Sequence, residues 1–220
     1  MPDKQAVVLR ASSKTAPFSD PSIAYPDWYM HRWHFLPEGY LSRRSAAGYD
    51  RVIRNVYNAF SENSVARELV RRVRRSTPES VLEVGTGPGR LLQRLSRVRS
   101  VRKLTGVDLS PYLLERAAAR LTEHNVELLH GNALALPIAA GTYDVATASH
   151  FVGHIPSPVR AAAVGELVRA VRPGGRIVLA DHRWHRWPGH SSLRLLEESF
   201  HAFGTIRMCV FERLGNGIPA

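Results

Sequence analysis

The residues from Val81 to Gly89, VLEVGTGPG, have the types and spacing of a loop that holds a nucleotide-like cofactor. Apolar residues in the first half suit a buried strand, and Gly85, Gly87 and Gly89 then occupy every second position. Leucines at helical spacing resume from Leu91. A strand, a glycine turn and a helix in this order bring backbone N–H groups to a helix N-terminus, where they can meet a ligand. Glycine is needed because a Cβ would block the ligand or forbid the turn.

A carboxylate stands where such a loop needs one. Asp108 follows apolar Val107 and lies 19 residues beyond Gly89. In dinucleotide-binding folds an acidic residue at the end of the second strand binds the ribose hydroxyls. The alternative role is a helix cap, but Ser110 already fills that position ahead of Pro111. We therefore expect Asp108 to bind ribose.

Two candidate bases, His150 and His154, follow the fourth apolar strand of the pattern. An imidazole titrates near neutrality, so either histidine could remove a proton from a reacting group. His154 could equally be a structural residue at a helix start, and His150 could be a cofactor contact. Both alternatives stay open at the level of sequence.

Alternation of strands and helices places these residues at one edge of a sheet. We predict strands at residues 80–84, 103–108, 126–130, 143–148, 176–180 and 205–212. We predict helices at 45–60, 64–75, 90–98, from 111 onwards, at 158–171 and at 191–203. The alternation favours a parallel sheet with helices on both faces. Such sheets bind ligands at the carboxyl ends of their strands.

Arg90 stands where the dinucleotide fingerprint has a third glycine or alanine. With this spacing the chain resembles the class I S-adenosylmethionine-dependent methyltransferases, most closely the small-molecule branch that includes ubiquinone- and menaquinone-biosynthesis enzymes. Four segments between residues 80 and 181 carry the likeness: VLEVGTGPGRLL, GVDLSPYLLERA, HGNALALPIAAGTYDVATASHFVGHI and LVRAVRPGGRIVLAD.

The resemblance implies an α/β, Rossmann-like, doubly wound and mostly parallel sheet with an N-terminal helical and aromatic cap. We divide the chain into a flexible leader (1–22), cap helices (23–76) and a cofactor-binding catalytic domain (77–220). The family sheet ends in a hairpin, whereas we find one convincing strand after Phe203. Either the last strand is missing, or the segment near 184–187 is used differently.

The resemblance also assigns cofactor contacts. Gly85 and Gly87 let the backbone approach the methionine part of S-adenosylmethionine, and Glu83 contacts its amino group directly or through water. Asn132 stands where aspartate is usual, and its carbonyl oxygen can still accept from the adenine amine. The expected cofactor-binding residues are Glu83, Gly85, Thr86, Gly87, Gly89, Asp108, Leu109, Asn132, Ala133, Ser149 and His150.

For the reaction, the resemblance implies methyl transfer with His150 and His154 as the candidate catalytic residues. His154 matches a histidine that is common in the family, and the companion position just before it is Gly153. The sequence does not distinguish oxygen, nitrogen and carbon as the methyl acceptor atom.

Aromatic residues crowd positions 25–40, and the tetrapeptide HRWH occurs at 31–34 and again at 182–185. An aromatic lid suits a compact acceptor, aromatic or of natural-product type, rather than a polymer. Core packing and chance repetition are the alternatives. The candidate acceptor contacts are Trp33, Tyr49, Tyr57, His182 and Trp184. No acidic or cysteine partner has metal-ligand spacing, so we expect no metal.

The formal net charge is +11, and all but three of the 30 basic residues are arginines. This balance makes a nucleic-acid-directed methyltransferase or binding module the alternative function. The arginines are spread along the chain, as a GC-rich coding sequence also produces, so we do not expect nucleic acid as a partner. Oligomeric state is open.

The lone cysteine, Cys209, excludes an internal disulfide and favours a reducing compartment. No apolar run approaches the roughly 18 residues of a membrane helix, and residues 1–18 lack the apolar core of a secretory signal. We therefore expect a cytoplasmic protein without membrane contact.

Overall fold

The computed structural model describes residues 18–30, 39–52 and 62–215. Within these ranges the strands are β1 (Ser80–Val84), β2 (Lys103–Asp108), β3 (Glu127–His130), β4 (Tyr143–Ser149), β5 (Val171–His182), β6 (Leu193–His201) and β7 (Ile206–Arg213). They form one sheet in the order β3-β2-β1-β4-β5-β7-β6. The first five strands are parallel, and β7 runs antiparallel between β5 and β6. The predicted Rossmann-like, mostly parallel α/β fold is confirmed.

Helices cover both faces of this sheet. The described helices are α1 (Arg43–Val52), α2 (Glu62–Arg75), α3 (Arg90–Leu95), α4 (Pro111–Arg120) and α5 (Arg160–Ala170), with short 3-10 turns at Asp27–Met30, Val152–His154 and Ser157–Val159. The start of α4 follows its sequence signal, because the Ser110 side chain accepts a hydrogen bond from the Leu113 N–H. Among the described helices, none has the length and apolar character that crossing a bilayer requires.

Strand residues alternate between two buried layers. Val178 and Ala180 of β5 pack in one layer with α2 and α3, and Ile177 and Leu179 pack in the other with α5. A strand that is buried on both faces reads as a continuous apolar run. This is why the central strands are evident from the sequence.

The predicted helix at 191–203 is wrong, because Leu193–His201 forms strand β6. Its residues have good helix propensity, but propensity is a weak preference that tertiary pairing overrides. Cross-strand ion pairs fasten the β6–β7 hairpin: Arg194–Glu212 and Arg207–Glu198. The final strand is therefore present, and residues 184–187 contribute no strand.

The structure also locates parts of the predicted leader and cap. Asp20, within the predicted leader, donates its backbone N–H to His130 Nδ1 at 3.0 Å. Helix α2, which we grouped with the cap, buries Val65, Leu69 and Val73 in the core beside the sheet. The domain boundaries themselves stay predictions.

Asp50 fastens α1 to the body of the protein beside the glycine loop. Its carboxylate accepts from Arg90, Arg116 and Arg120, at 2.9, 3.0 and 3.0 Å. Arg120 also donates to the Pro88 carbonyl in the loop. Burial alone would raise the pKa of Asp50, but the arginine hydrogen bonds outweigh it and lower the pKa below its ordinary value.

We expect Asp50→Ala to lower the free energy of unfolding by about 1–3 kcal/mol, because the guanidinium groups of three arginines lose their acceptor. Glu115→Ala is the matched control, since the Arg43–Glu115 pair joins the same two helices at a more exposed site. An exposed pair contributes less than about 1 kcal/mol. Urea unfolding checks both variants, and equal losses in the two would contradict the anchoring role of Asp50.

Candidate cofactor and acceptor site

A cleft opens at the carboxyl ends of β1, β2 and β4, where a parallel sheet binds its ligand. It contains about 710 Å³ of empty space, part of it open to solvent. Its lining comprises Trp28, Tyr29, Tyr40, Tyr49, Val84, Gly85, Gly87, Val107, Asp108, Leu109, Leu113, Gly131, Asn132, Ala133, Leu134, His150, Phe151, His154 and Ile155.

The glycine loop turns tightly between β1 and α3. Gly85 and Gly87 have φ of 72° and 52°, in the left-handed region that glycine adopts without strain. A Cβ on Gly85 would lie 2.4 Å from the Phe151 ring, whereas a Cβ on Gly87 would enter open space. A ligand can therefore approach the backbone at Gly87. Gly89 has φ of 76° and lies outside the cleft lining, and its Cβ would lie 2.9 Å from that of Ala117 on α4, so packing is a further reason for glycine there.

Asp108 ends β2 with its carboxylate against the glycine loop. Its Oδ2 accepts from the Gly87 N–H at 2.7 Å, and its Oδ1 accepts from the Ser110 N–H at 2.8 Å. Burial raises the pKa of Asp108 to about 6, although both donors favour the ionised form. Each oxygen keeps a lone pair for a further donor. The geometry therefore fits the predicted binding of ribose hydroxyls.

Glu83 lies beneath the loop and outside the cleft lining. Its Oε2 accepts from Thr86 Oγ1 at 2.9 Å, so these two buried residues brace the turn from behind. Burial raises the pKa of Glu83 to about 8, and the charge of Asp108 adds to the shift. A cation bound nearby would favour the ionised carboxylate.

The raised pKa makes the stability of the cofactor-free protein depend on pH. The folded-state pKa of Glu83 is about 8, against an ordinary value of 4.5. The folded protein therefore holds this proton more tightly than the unfolded chain, and the stabilisation is lost as the pH rises from about 5 to about 8.

We expect Glu83→Gln to raise Tm by about 4–8 °C at pH 8, which corresponds to about 2 kcal/mol, and to change it little at pH 5. The amide remains neutral at both values, so it avoids the buried charge. Thermal melts measure this, with exposed Glu123→Gln as the control. A change in Tm that is the same at both pH values would contradict the assignment.

The predicted adenine contacts lie together along the cleft lining. Leu109, Asn132 and Ala133 all border the empty space. Asn132 Oδ1 accepts from the Leu134 N–H at 2.9 Å, which orients the amide. The same oxygen has a second lone pair for an exocyclic amine. Adenine binding by these residues stays a prediction that the geometry allows.

His150 and His154 both line the cleft. His150 has φ of 50°, a conformation that non-glycine residues hold where the surroundings impose it, often at functional sites. Its N–H donates to the Ala180 carbonyl at 2.8 Å, and its Nδ1 lies 3.1 Å from Ser149 Oγ. Burial lowers the pKa of His150, so the ring is neutral at pH 7. The His154 ring packs 6.2 Å from that of Tyr40.

Aromatic rings form a second wall that adjoins His154. The rings are those of Trp28, Tyr29, Tyr40 and Tyr49. Ring centroids of Tyr40 lie 5.1 Å from Tyr49 and 6.1 Å from Tyr29. The sequence indicated this aromatic segment and singled out Tyr49, but it missed Phe151 and Ile155. Their signal was available, since both are apolar neighbours of the candidate histidines.

Several predicted site residues do not reach the cleft. Trp33 and Tyr57 lie outside the described residues. The His182 ring stacks on Trp184 at 4.5 Å and lies 5.7 Å from the His150 ring, so this pair stands beside the cleft. Six of the predicted site residues that the structure describes lie outside the cleft lining: Glu83, Thr86, Gly89, Ser149, His182 and Trp184.

Comparisons with known proteins agree with this arrangement. Residues 81–175 match the family model described as a methyltransferase domain. The demethylmenaquinone methyltransferase of Lactococcus lactis is 29% identical over 163 residues, which are 72% of this chain and 61% of that protein. The corresponding protein of Listeria monocytogenes is 33% identical over 89 residues, 39% of this chain and 37% of that one. The chain thus spans less than two thirds of the length of these curated relatives.

Two solved structures share the fold at low sequence identity. The N-methyltransferase NodS of Bradyrhizobium japonicum, in complex with S-adenosyl-L-homocysteine, is 19% identical with a TM-score of 0.62, covering 74% of this chain and 90% of that one. A TehB-like SAM-dependent methyltransferase of Corynebacterium glutamicum is 19% identical with a TM-score of 0.62, and the match covers 77% of this chain and 98% of that one. The sheet order, the cleft at the strand ends and the family match together identify residues 81–175 as a methyltransferase domain of the class I S-adenosylmethionine-dependent type.

Proposed function

We propose that the protein transfers a methyl group from S-adenosylmethionine to a small acceptor, aromatic or of natural-product type. The aromatic wall of the cleft carries this proposal. Planar rings at Trp28, Tyr40 and Tyr49 offer stacking surfaces for a planar acceptor. The curated relatives are named as methyltransferases of demethylmenaquinone, itself a small molecule, which supports the same class of acceptor.

Residues of the glycine loop and of β2 would hold the cofactor. Asp108 would accept from the ribose hydroxyls, and Gly87 leaves the backbone open to the ligand. Glu83, once ionised, would favour the ammonium group. Bound S-adenosylmethionine supplies a methyl group that its sulfonium already activates. The protein then has to orient the acceptor and, where the nucleophile carries a proton, remove it.

His150 is our candidate for the general base. Its ring borders the cleft and burial lowers its pKa, so it meets the acceptor in the neutral, proton-accepting form. His154 lies against Tyr40, and we assign it to the wall that orients the acceptor. A base at His150 and a wall at His154 would serve an oxygen, a nitrogen or a carbon nucleophile of the acceptor alike.

Methyl transfer is tested with methyl-labelled S-adenosylmethionine and a panel of acceptors. The panel contains phenols, hydroquinones, aromatic amines and, as the polymer arm, total RNA. We expect label in at least one low-molecular-weight aromatic product and none in RNA. Label in RNA alone, or in no small molecule of the panel while S-adenosylhomocysteine binds, would contradict the proposed acceptor class.

Ion pairs reduce the free positive charge on which the alternative, nucleic-acid-directed function depends. Several arginines of the described chain pair with carboxylates; the pairs include Arg72–Glu197, Arg90–Asp50, Arg169–Glu166, Arg172–Asp144 and Arg194–Glu212. Nucleic-acid binding would show a steep dependence on salt concentration. A reducing cytoplasm and a place in secondary metabolism are part of the proposal, the former because Cys209 is a free thiol.

A further inference from the structure

The second HRWH tetrapeptide follows a buried carboxylate at the end of β5. Asp181 is 2% exposed, and its two oxygens accept three hydrogen bonds. Oδ2 accepts from the Gly153 N–H at 3.0 Å, and Oδ1 accepts from the His182 N–H at 2.7 Å and from His185 Nδ1 at 2.9 Å. Burial alone would raise the pKa of Asp181, but these donors outweigh it and lower the pKa. The carboxylate is therefore ionised at neutral pH.

His185 occupies the space that any side chain at position 153 would need. A Cβ built on Gly153 would lie 2.2 Å from Cε1 and 2.3 Å from Nδ1 of the His185 ring. Gly153 does not have the positive φ that would by itself require glycine. Steric room for the imidazole is thus the reason for glycine at this position. Two contacts therefore hold the turn at Val152–His154. Asp181 accepts the Gly153 N–H, and the His185 ring packs beside the Gly153 Cα.

That turn belongs to the loop of residues 150–154, which reaches the cleft. Phe151 of the loop covers Gly85, and His150 and His154 line the empty space. The loop is also joined to β5 at its start, since the His150 N–H donates to the Ala180 carbonyl. Both ends of the loop are therefore set by the last residues of β5.

We propose that Asp181 and His185 are positioning residues, which fix the 150–154 loop and thereby aim His150 and His154 into the cleft. Neither residue lines the cleft, so they act through the loop. The inference rests on the proposed function for its catalytic consequence. Its structural part, the coupling of His185 to the two cleft histidines, is measurable without any acceptor.

The test is a cycle of four proteins: wild type, His185→Ala, Gly153→Ala and the double variant. Histidine-labelled NMR follows the ring resonances of His150 and His154, assigned by single substitutions. We expect both single variants to move these resonances, His185→Ala by leaving a void and Gly153→Ala by steric clash. The double variant returns them towards wild type, since the new methyl fills part of the vacated space. His124→Ala, which removes a half-buried imidazole bonded to Ser96 at the other end of the sheet, leaves them unchanged.

Kinetics separates positioning from general stability. With an acceptor from the panel, we expect kcat to fall about 10- to 100-fold in each single variant, while the affinity for S-adenosylhomocysteine changes less than about twofold. The double variant recovers most of kcat. Asp181→Asn, which keeps the size of the side chain and loses its charge, provides a second route should His185→Ala not fold.

The outcomes distinguish this inference from the proposed function. If the resonances of His150 and His154 are unchanged in His185→Ala and Asp181→Asn, the positioning role is wrong whatever the turnover. A double variant no closer to wild type than the single variants also overturns it. If the resonances respond as expected and wild type methylates none of the acceptors, the proposed function fails and the positioning of the loop stands.

Discussion

Replacing Asp108 by alanine lowers the affinity for S-adenosylhomocysteine by about 5- to 150-fold, or about 1–3 kcal/mol. The reason is that the ribose hydroxyls would lose an acceptor that is itself buried at the base of the cleft. Asp108 is 8% exposed, so water cannot readily replace the carboxylate. The loop is affected too, because the Gly87 N–H loses the acceptor that it now has at 2.7 Å.

Calorimetric titration measures this loss, and two further variants sharpen it. Asp108→Asn keeps one carbonyl acceptor of similar size, so its affinity should fall between wild type and Asp108→Ala. Glu127→Gln is the control, since Glu127 accepts a hydrogen bond from Thr105 on the same strand as Asp108 and neither residue lines the cleft. An Asp108→Ala protein that binds within about twofold of wild type would remove the ribose role.

His150→Ala lowers kcat by about 100- to 10,000-fold, the range expected for loss of a positioned general base, and leaves the affinity for S-adenosylhomocysteine nearly unchanged. Its ring is neutral at pH 7 because burial lowers its pKa. Deprotonation of the nucleophile is then left to water. His154→Ala should act mainly on KM, because its ring packs in the acceptor wall beside Tyr40.

Rapid-quench measurement of single turnovers separates these effects from product release. His190→Ala serves as the matched control, because its ring bonds the Ser192 N–H away from the cleft. Unchanged single-turnover rates in His150→Ala, at saturating acceptor, would exclude it as the base. If His154→Ala lost more kcat than His150→Ala, His154 would be the base and His150 would belong to the acceptor wall.

The central fold and the residues at the glycine-loop end of the cleft could be predicted because their signals are local. A buried strand, a glycine turn and a capped helix are each determined by residues that are close together in the sequence, as at Gly85, Gly87 and Ser110. Asp108 needed only its distance from the loop and its place after an apolar strand. Such short-range rules hold when the backbone conformation itself requires the residue.

Features set by distant partners could not be predicted. Leu193–His201 forms a strand because β7 pairs with it, and nothing within those residues specifies that partner. The glycine motif predicts Gly89, but it does not show that Ala117 packs where a Cβ of residue 89 would lie. Gly153 likewise makes room for His185, 32 positions further along the chain. A glycine is visible in sequence, but the neighbour that requires it is not.

Calorimetric titration of the wild-type protein with S-adenosylhomocysteine tests the central claim most directly. We assign the residues at the ends of β1, β2 and β4 to this ligand, and in our proposal Glu83, whose pKa is about 8, would lose its proton when the ammonium group binds. We therefore expect one molecule bound per chain, with higher affinity at pH 8 than at pH 6. Absence of binding at both pH values would contradict the account, because a cleft that cannot hold the cofactor cannot transfer its methyl group.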